Sequence, residues 1–224
     1  MDRWMVTHSL LSSWLYAMRD NPYGDAETEP EDPLAEFKQV LNREPTETTD
    51  AMQNGIDFEN LVTAITEGET AYGMIPVDPK YPELGMMPMD ITDHVWYPSA
   101  KKIADIVGGG QLQLGCYKTV QIRGMDIFLY GRLDALKAGS IYDIKFSKSY
   151  DRGKYIDSTQ HMMYLELVPT AYQFSYLISN GNDVWSETYR RDETKSIIPI
   201  ITDFLDWLNS VGLMDTYKTK WLAL

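Results

Sequence analysis

Apolar positions along the chain follow two periods, and the changes between them outline its architecture. Leu10, Leu11, Trp14, Leu15 and Met18 recur at helical spacing, predicting a helix over His8 to Met18 with Thr7 or Ser9 as N-cap. Asn21 to Asp32 is rich in Pro, Gly, Asp and Glu and reads as a loop, after which Pro33 opens a helix carrying Leu34, Phe37, Val40 and Leu41. From Thr49 the series Met52, Ile56, Phe58, Leu61, Val62 and Ile65 predicts a third helix, and Pro98 and Ser99 introduce a fourth that ends at Gly108-Gly109-Gly110. Glu67 to Pro98 keeps no period and reads as irregular structure, a flap over a cleft.

Beyond Gly110 the period becomes two. Gln111 to Ile122, with Leu112, Leu114 and Cys116 alternating, predicts a strand, Arg123-Gly124 a turn, and Asp126 to Leu136 the returning strand. Lys137-Ala138-Gly139-Ser140 breaks the pattern before a third run, Ile141 to Phe146. Ile156 to Val168 then reads as a helix capped by Asp157 or Ser158, and Ala171 to Ile178 with Val184 to Tyr189 as a hairpin about Asn180-Gly181. A last helix carries Ile197, Ile201, Leu205 and Leu208, with Asp192 or Thr194 as its cap; no period assigns the tail from Thr216 to Leu224. Gly55 interrupts the third helix at a cost of roughly 1 kcal/mol against Ala, which calls for a packing or ligand-access reason.

One stretch carries chemistry. On the strand Ile141 to Phe146 alternate side chains face opposite ways, so Asp143 and Lys145 project to a cleft while Tyr142, Ile144 and Phe146 project to the core. Pairing across the Lys137 to Ser140 turn brings Asp134 toward Asp143, which places two carboxylates and an ammonium around one small volume. Hard oxygen donors select Mg²⁺ or Mn²⁺, and such an ion keeps waters that can attack a phosphodiester. Lys145 can offset developing negative charge or position that water.

The ordered set Gly131, Asp134, Asp143, Lys145, Gln160 and Tyr164, a G-x-x-D followed by D-x-K and then Q-x-x-x-Y, resembles the PD-(D/E)XK nuclease superfamily in its RecB-like and lambda-exonuclease-like branch. The resemblance covers roughly Gly55 to Ile178. It implies an α/β (α+β) fold with a restriction-endonuclease-like αβββαβ core, a central mixed sheet, N-terminal helices and a C-terminal hairpin plus helix. It implies that Asp134 and Asp143 bind the metal with the Ile144 carbonyl, and that Glu59, at the position where relatives present a His or Glu, completes or supports the site. Gln160 and Tyr164 would orient the lysine or the substrate, and Val6 to Tyr16 resembles the serine-containing opening helix of RecB-like nucleases without the cysteine that often follows. The implied activity is metal-dependent DNA hydrolysis, most simply by an exonuclease in recombination, repair or phage DNA processing. The alternative is a nuclease fold kept without turnover, as an inhibitor or adaptor of nucleic-acid or defence machinery.

Composition adjusts this picture. The 224 residues fit one domain, with 1–48 as a helical extension, 49–190 as core and 191–224 as C-terminal helix and tail. Cys116 is the one cysteine, which excludes an intramolecular disulfide and a four-cysteine iron-sulfur cluster and fits the cytoplasm of a bacterial cell or phage-infected host. The N-terminal apolar run, broken by His8, Ser9, Ser12 and Ser13, reads neither as a signal peptide nor as a membrane span. A formal charge of −13 opposes nucleic-acid binding, yet Lys118 to Lys154 holds eight basic residues against four Asp, so the active strip is locally basic. Lys148, Arg152 and Lys154, after the catalytic strand, are the candidate phosphate contacts, and a homo-oligomer or partner protein would add the positive surface the chain lacks.

Overall fold

The architecture is organised by one long strand, β5 (Met125–Lys137), which has three strand neighbours in the computed structural model; residues 2–19 and 32–223 are described. Along one edge β4 (Gln111–Ile122) runs antiparallel, in register from Gln111 opposite Leu136 to Ile122 opposite Met125. Since β4 occupies that whole edge, the other is shared. There β1 (Arg3–Thr7) pairs parallel with Asp126 to Tyr130, and β6 (Ser140–Phe146) pairs antiparallel with Ala135 to Lys137. Residues 131–134 lie between these two neighbours, so a fork opens in the sheet at Asp134. Beyond β6 come β7 (Gln173–Ser179), parallel to it, and β8 (Val184–Arg190), antiparallel to β7, while β9 (Leu222–Ala223) extends the sheet past β1.

Both hairpins within β4–β5–β6 turn through pairs of left-handed residues, Arg123 with Gly124 and Ala138 with Gly139. Positive φ at both positions is the type I′ geometry that matches the twist of paired strands, which fixes the register that brings β5 and β6 together.

Helices cover both faces. On one side α1 (His8–Ala17), α2 (Pro33–Asn42), α5 (Thr159–Leu167), α6 (Ile198–Ser210) and α7 (Met214–Lys220) bury Leu10, Trp14, Phe37, Met163, Phe204 and Tyr217 against Ile127, Leu129, Leu133, Phe174 and Tyr176. On the other, α3 (Asp50–Glu67) and α4 (Tyr97–Val107) bury Phe58, Leu61, Val62, Ile103 and Val107 against Ala135, Ile144 and Leu177. The result is a mixed α/β fold with seven helices among the described residues and a mixed central sheet. Caps follow the sequence: Thr7, Asp32, Thr49 and Ser158 each accept a backbone N–H of the first turn, and Gly68 in the left-handed region ends α3.

Several expectations change. Arg3 to Thr7 is a strand, and the unassigned tail supplies α7 and β9, which close the sheet beside it. Glu67 to Pro98 is not irregular: β2 (Ala71–Pro76) and β3 (Met86–Asp90) form an antiparallel pair of their own. Helix α5 starts at Thr159 rather than Ile156, because the Ser158 hydroxyl accepts from Gln160 N. Helix α6 follows Ile197 with no side-chain cap, so neither Asp192 nor Thr194 serves there. A Cβ at Gly55 would meet nothing within 4 Å, which removes the packing reason for that glycine. Most of the loop expected over Asn21 to Asp32 lies outside the described residues. Among those described, no helix is long and apolar enough to cross a membrane.

Candidate metal and catalytic site

The fork at Asp134 gathers the charged residues of β5 and β6. The β5–β6 register, with Ala135 opposite Tyr142, continues to Asp134 opposite Asp143, and Asp134 Oδ2 accepts the Ile144 N–H at 2.6 Å. Because the N–H and C=O of a strand residue leave on the same edge, the Ile144 carbonyl faces the same fork. Lys145 Nζ lies 2.9 Å from Asp143 Oδ2. The expected split of β6 is present: Tyr142, Ile144 and Phe146 pack with the α3–α4 core, and Asp143 and Lys145 project to the opposite face. That face is not an open cleft at Asp143, which is 4% exposed beneath α5.

Helix α5 closes the site from that side. Gln160 Nε2 donates to Asp143 Oδ1, and one turn later Tyr164 donates to the Arg132 carbonyl at 3.1 Å. Gly131 permits this approach. A Cβ there would overlap Tyr164 Cε1 and lie 2.9 Å from Cδ1 and 3.0 Å from Leu167 Cδ1. The glycine and the tyrosine of the sequence pattern are thus two halves of one contact.

Charge is unbalanced in this volume. Removal from water, then the neighbouring Asp143, then Glu59 raise the Asp134 pKa well above the usual carboxylate range, against the Ile144 N–H and Lys145. Burial also raises Asp143, opposed by Lys145 and Gln160. Burial would lower Lys145, but Asp143 and then Asp134 outweigh it and hold the ammonium above its ordinary value. Two carboxylates face one cation, so burial and their mutual repulsion both favour the neutral form of Asp134.

Carboxylates and a backbone carbonyl are the donor types a hard divalent ion takes. Asp143 Oδ2 is buried and faces the Lys145 ammonium at 2.9 Å as an ion pair, with no other partner among the described residues. Buried carboxylate oxygens usually accept hydrogen bonds, and a metal cation is another partner they take. Glu59, half-buried on α3, is near enough to raise Asp134 but accepts from Gln113 Nε2 at 2.7 Å. Among the described residues, no three His, Cys, Asp or Glu side chains converge in ligating geometry. The structure therefore brings Asp134, Asp143, Lys145, Gln160 and Tyr164 together and leaves Glu59 at the margin.

Sequence reasoning missed Gln113. It stands across from Asp134 in the β4–β5 register, has φ 53, and interrupts the ladder there. Around it the side-chain faces shift by one residue: Leu112 and Ala135 pack with the α3–α4 core, Leu114 and Leu133 with the other. The expected simple alternation of Leu112, Leu114 and Cys116 is corrected accordingly. Left-handed backbone at a non-glycine residue is strained, and no feature of the sequence signals it. His8 was also missed as a neighbour. Its Nδ1 lies 2.9 Å from Thr159 Oγ1, and burial, then Lys145, then His161 depress its pKa to about 3. His161 stacks on Tyr189 at 4.0 Å between ring centres, with burial lowering its pKa to about 4, which suits a structural part.

Lys148, Arg152 and Lys154 are exposed on the loop from β6 to α5. Lys154 donates to Ser147 Oγ at 2.8 Å and borders a cavity of about 260 Å³ with Ser12, Arg19, Asp157, Ser158 and Thr159. An unforeseen residue on β8 ties the loop down: Glu187 accepts from Tyr150 at 2.7 Å, from Gly153 N and Tyr155 N at 3.2 Å each, and from Tyr189.

No family model and no curated protein matches the sequence. Among solved structures, the crystal structure of SSO0001 is similar over 69% of this chain and 86% of that one, at 13% identity and a TM-score of 0.38. A likeness at that score carries no argument about fold or function.

Proposed function

We propose that this protein is a Mg²⁺- or Mn²⁺-dependent deoxyribonuclease of the PD-(D/E)XK type in its RecB-like branch, acting as an exonuclease in DNA recombination, repair or phage DNA processing. One observation carries the proposal: Asp134, Asp143 and Lys145, from two paired strands, meet at a fork in the sheet with Gln160 locking Asp143 from α5. The order of helix, β4–β5–β6, α5 and parallel β7 supports a restriction-endonuclease-like core.

Asp134, Asp143 and the Ile144 carbonyl would hold the cation, and Glu59 would join them on leaving Gln113. A bound divalent ion polarises a phosphate oxygen and lowers the pKa of a water. The chain's own residues supply the rest. Lys145, kept cationic by the two aspartates, offsets charge developing on the phosphate or positions the attacking water. Gln160 holds Asp143 in one rotamer, and Tyr164 anchors α5 to the β5 backbone. Lys148, Arg152 and Lys154 contact the DNA backbone beside the site.

Purified protein should cleave linear DNA only with Mg²⁺ or Mn²⁺, and linear, circular and single-stranded substrates separate exonuclease from endonuclease action. Asp143→Ala and Lys145→Ala should abolish cleavage while circular dichroism remains native. Cleavage by Asp143→Ala at the wild-type rate would overturn the assignment. The bond between Glu59 and Gln113, with the charge of −13, favours a second reading, a binding protein without turnover. Absence of cation-dependent cleavage on every substrate would select it.

A further inference from the structure

The β2–β3 arm presents a surface that the proposed site does not use. Its two strands pair only with each other among the described residues, and it is tied to the body at its base, where Tyr72 donates to the Asp57 carbonyl at 2.9 Å and Ile91 is buried. Beyond that base Met74, Val77, Tyr81, Leu84, Met86 and Met87 are each between 43% and 62% exposed. Large apolar side chains gathered on one exposed element mark an interaction surface, and methionines adapt their shape to what they meet.

Charge defines the occupant. Glu67, Glu69, Asp78, Glu83, Asp90 and Asp93 lie on the arm or beside it in the sequence, against Lys80 alone, with Asp78 and Glu83 in the connection between the two strands. A phosphate backbone or an anionic membrane would be repelled, as would a second copy bearing the same acids. The strand edges are poor templates for strand addition, because Pro76 ends β2, Pro88 lies within β3, and the register shifts between Ala71 and Met74. Recognition must run through side chains. We infer that the β2–β3 arm docks a basic protein segment that lays apolar side chains against Met74, Leu84 and Met86 while its lysines or arginines meet the carboxylates carried on and beside the arm. Neither the fit nor its test depends on nuclease chemistry.

The test uses the full chain and three labelled synthetic peptides, read by fluorescence anisotropy: an amphipathic Lys/Leu peptide, an oligolysine of equal charge, and a Glu/Leu peptide of the same pattern. The protein variants are Leu84→Ser with Met86→Ser, which keeps the charge, and Glu69→Lys with Glu83→Lys, which keeps the apolar set. All four side chains are exposed, and unchanged melting temperatures verify the fold. The Lys/Leu peptide should bind the wild type and lose roughly tenfold in affinity to each variant, while weaker oligolysine binding ignores the serine changes. Failure of the Lys/Leu peptide to bind, equal binding to wild type and variants, or preference for the Glu/Leu peptide would overturn the inference. So would self-association in sedimentation that the serine changes abolish, since that assigns the arm to a second copy.

Discussion

Replacing Gly131 by alanine tests whether the packing of α5 against β5 is as tight as the contact with Tyr164 indicates. In an unconstrained strand the change would stabilise, since glycine costs roughly 0.5–1 kcal/mol relative to alanine in the folded chain. Here the new methyl would overlap Tyr164 Cε1 and stand 2.9 Å and 3.0 Å from two further carbons, and both side chains it meets are buried. The ring cannot swing freely, because it packs 5.8 Å from Phe174 between centres and its hydroxyl is bonded to the Arg132 carbonyl. Overpacking of this kind costs about 1–3 kcal/mol, so a net loss of about 1–2 kcal/mol is expected after the favourable term. For a chain of this size that lowers the melting temperature by about 2–8 °C. Urea unfolding of Gly131→Ala, Tyr164→Leu and the double variant measures the coupling. With the ring removed, the alanine should become neutral or stabilising by a few tenths of a kcal/mol. An equal cost in both backgrounds, or no cost in the wild type, would refute the reasoning.

Asp134→Asn removes one of two repelling carboxylates while keeping an acceptor for the Ile144 N–H, so in chelator it should melt above the wild type in calorimetry and lose any stabilisation by Mg²⁺. Because the folded state raises the Asp134 pKa, the stability it contributes is present at acid pH and lost as pH rises through that value, so cation-free wild type should lose more stability than Asp134→Asn on alkaline titration. His161 has the opposite sign. Its lowered pKa gives stability present above 6.5 and lost as pH falls toward about 4, at up to about 1.4 kcal/mol per pH unit, and His161→Gln should flatten that slope in urea titrations. Glu187→Gln replaces an acceptor of four donors by one that presents N–H groups to some of them; it should cost about 1–3 kcal/mol and speed hydrogen exchange at Gly153 and Tyr155, and unchanged exchange would show that Glu187 does not hold the loop.

What the sequence made legible followed from period and register. The strands from Gln111 to Phe146 alternate over many residues, and their two short turns admit one pairing, so the approach of Asp134 to Asp143 was readable before any coordinates. Helices α1 to α4 announced themselves by apolar spacing, with Thr7 as a cap for α1 and Pro33 opening α2. Arg3 to Thr7 did not, because five residues carry too little alternation, and its place beside β5 depends on contacts with a tail more than two hundred residues away. The β2–β3 arm was hidden by its prolines, which argue against strands although edge strands tolerate them. At the site the missed features share one cause. The left-handed φ of Gln113, the turn of Glu59 toward it and the four donors on Glu187 arise from tertiary packing, which composition and spacing do not encode.

Manganese binding read by electron paramagnetic resonance bears most directly on the cation proposed at Asp134 and Asp143. The wild type should take up one Mn²⁺ that Mg²⁺ displaces, Asp134→Asn and Asp143→Asn should each lose it while remaining folded, and affinity should rise with pH because the raised pKa of Asp134 lets protons compete with the ion. Retention of that ion by both variants at wild-type affinity, or no uptake by the wild type at neutral pH, would contradict the account.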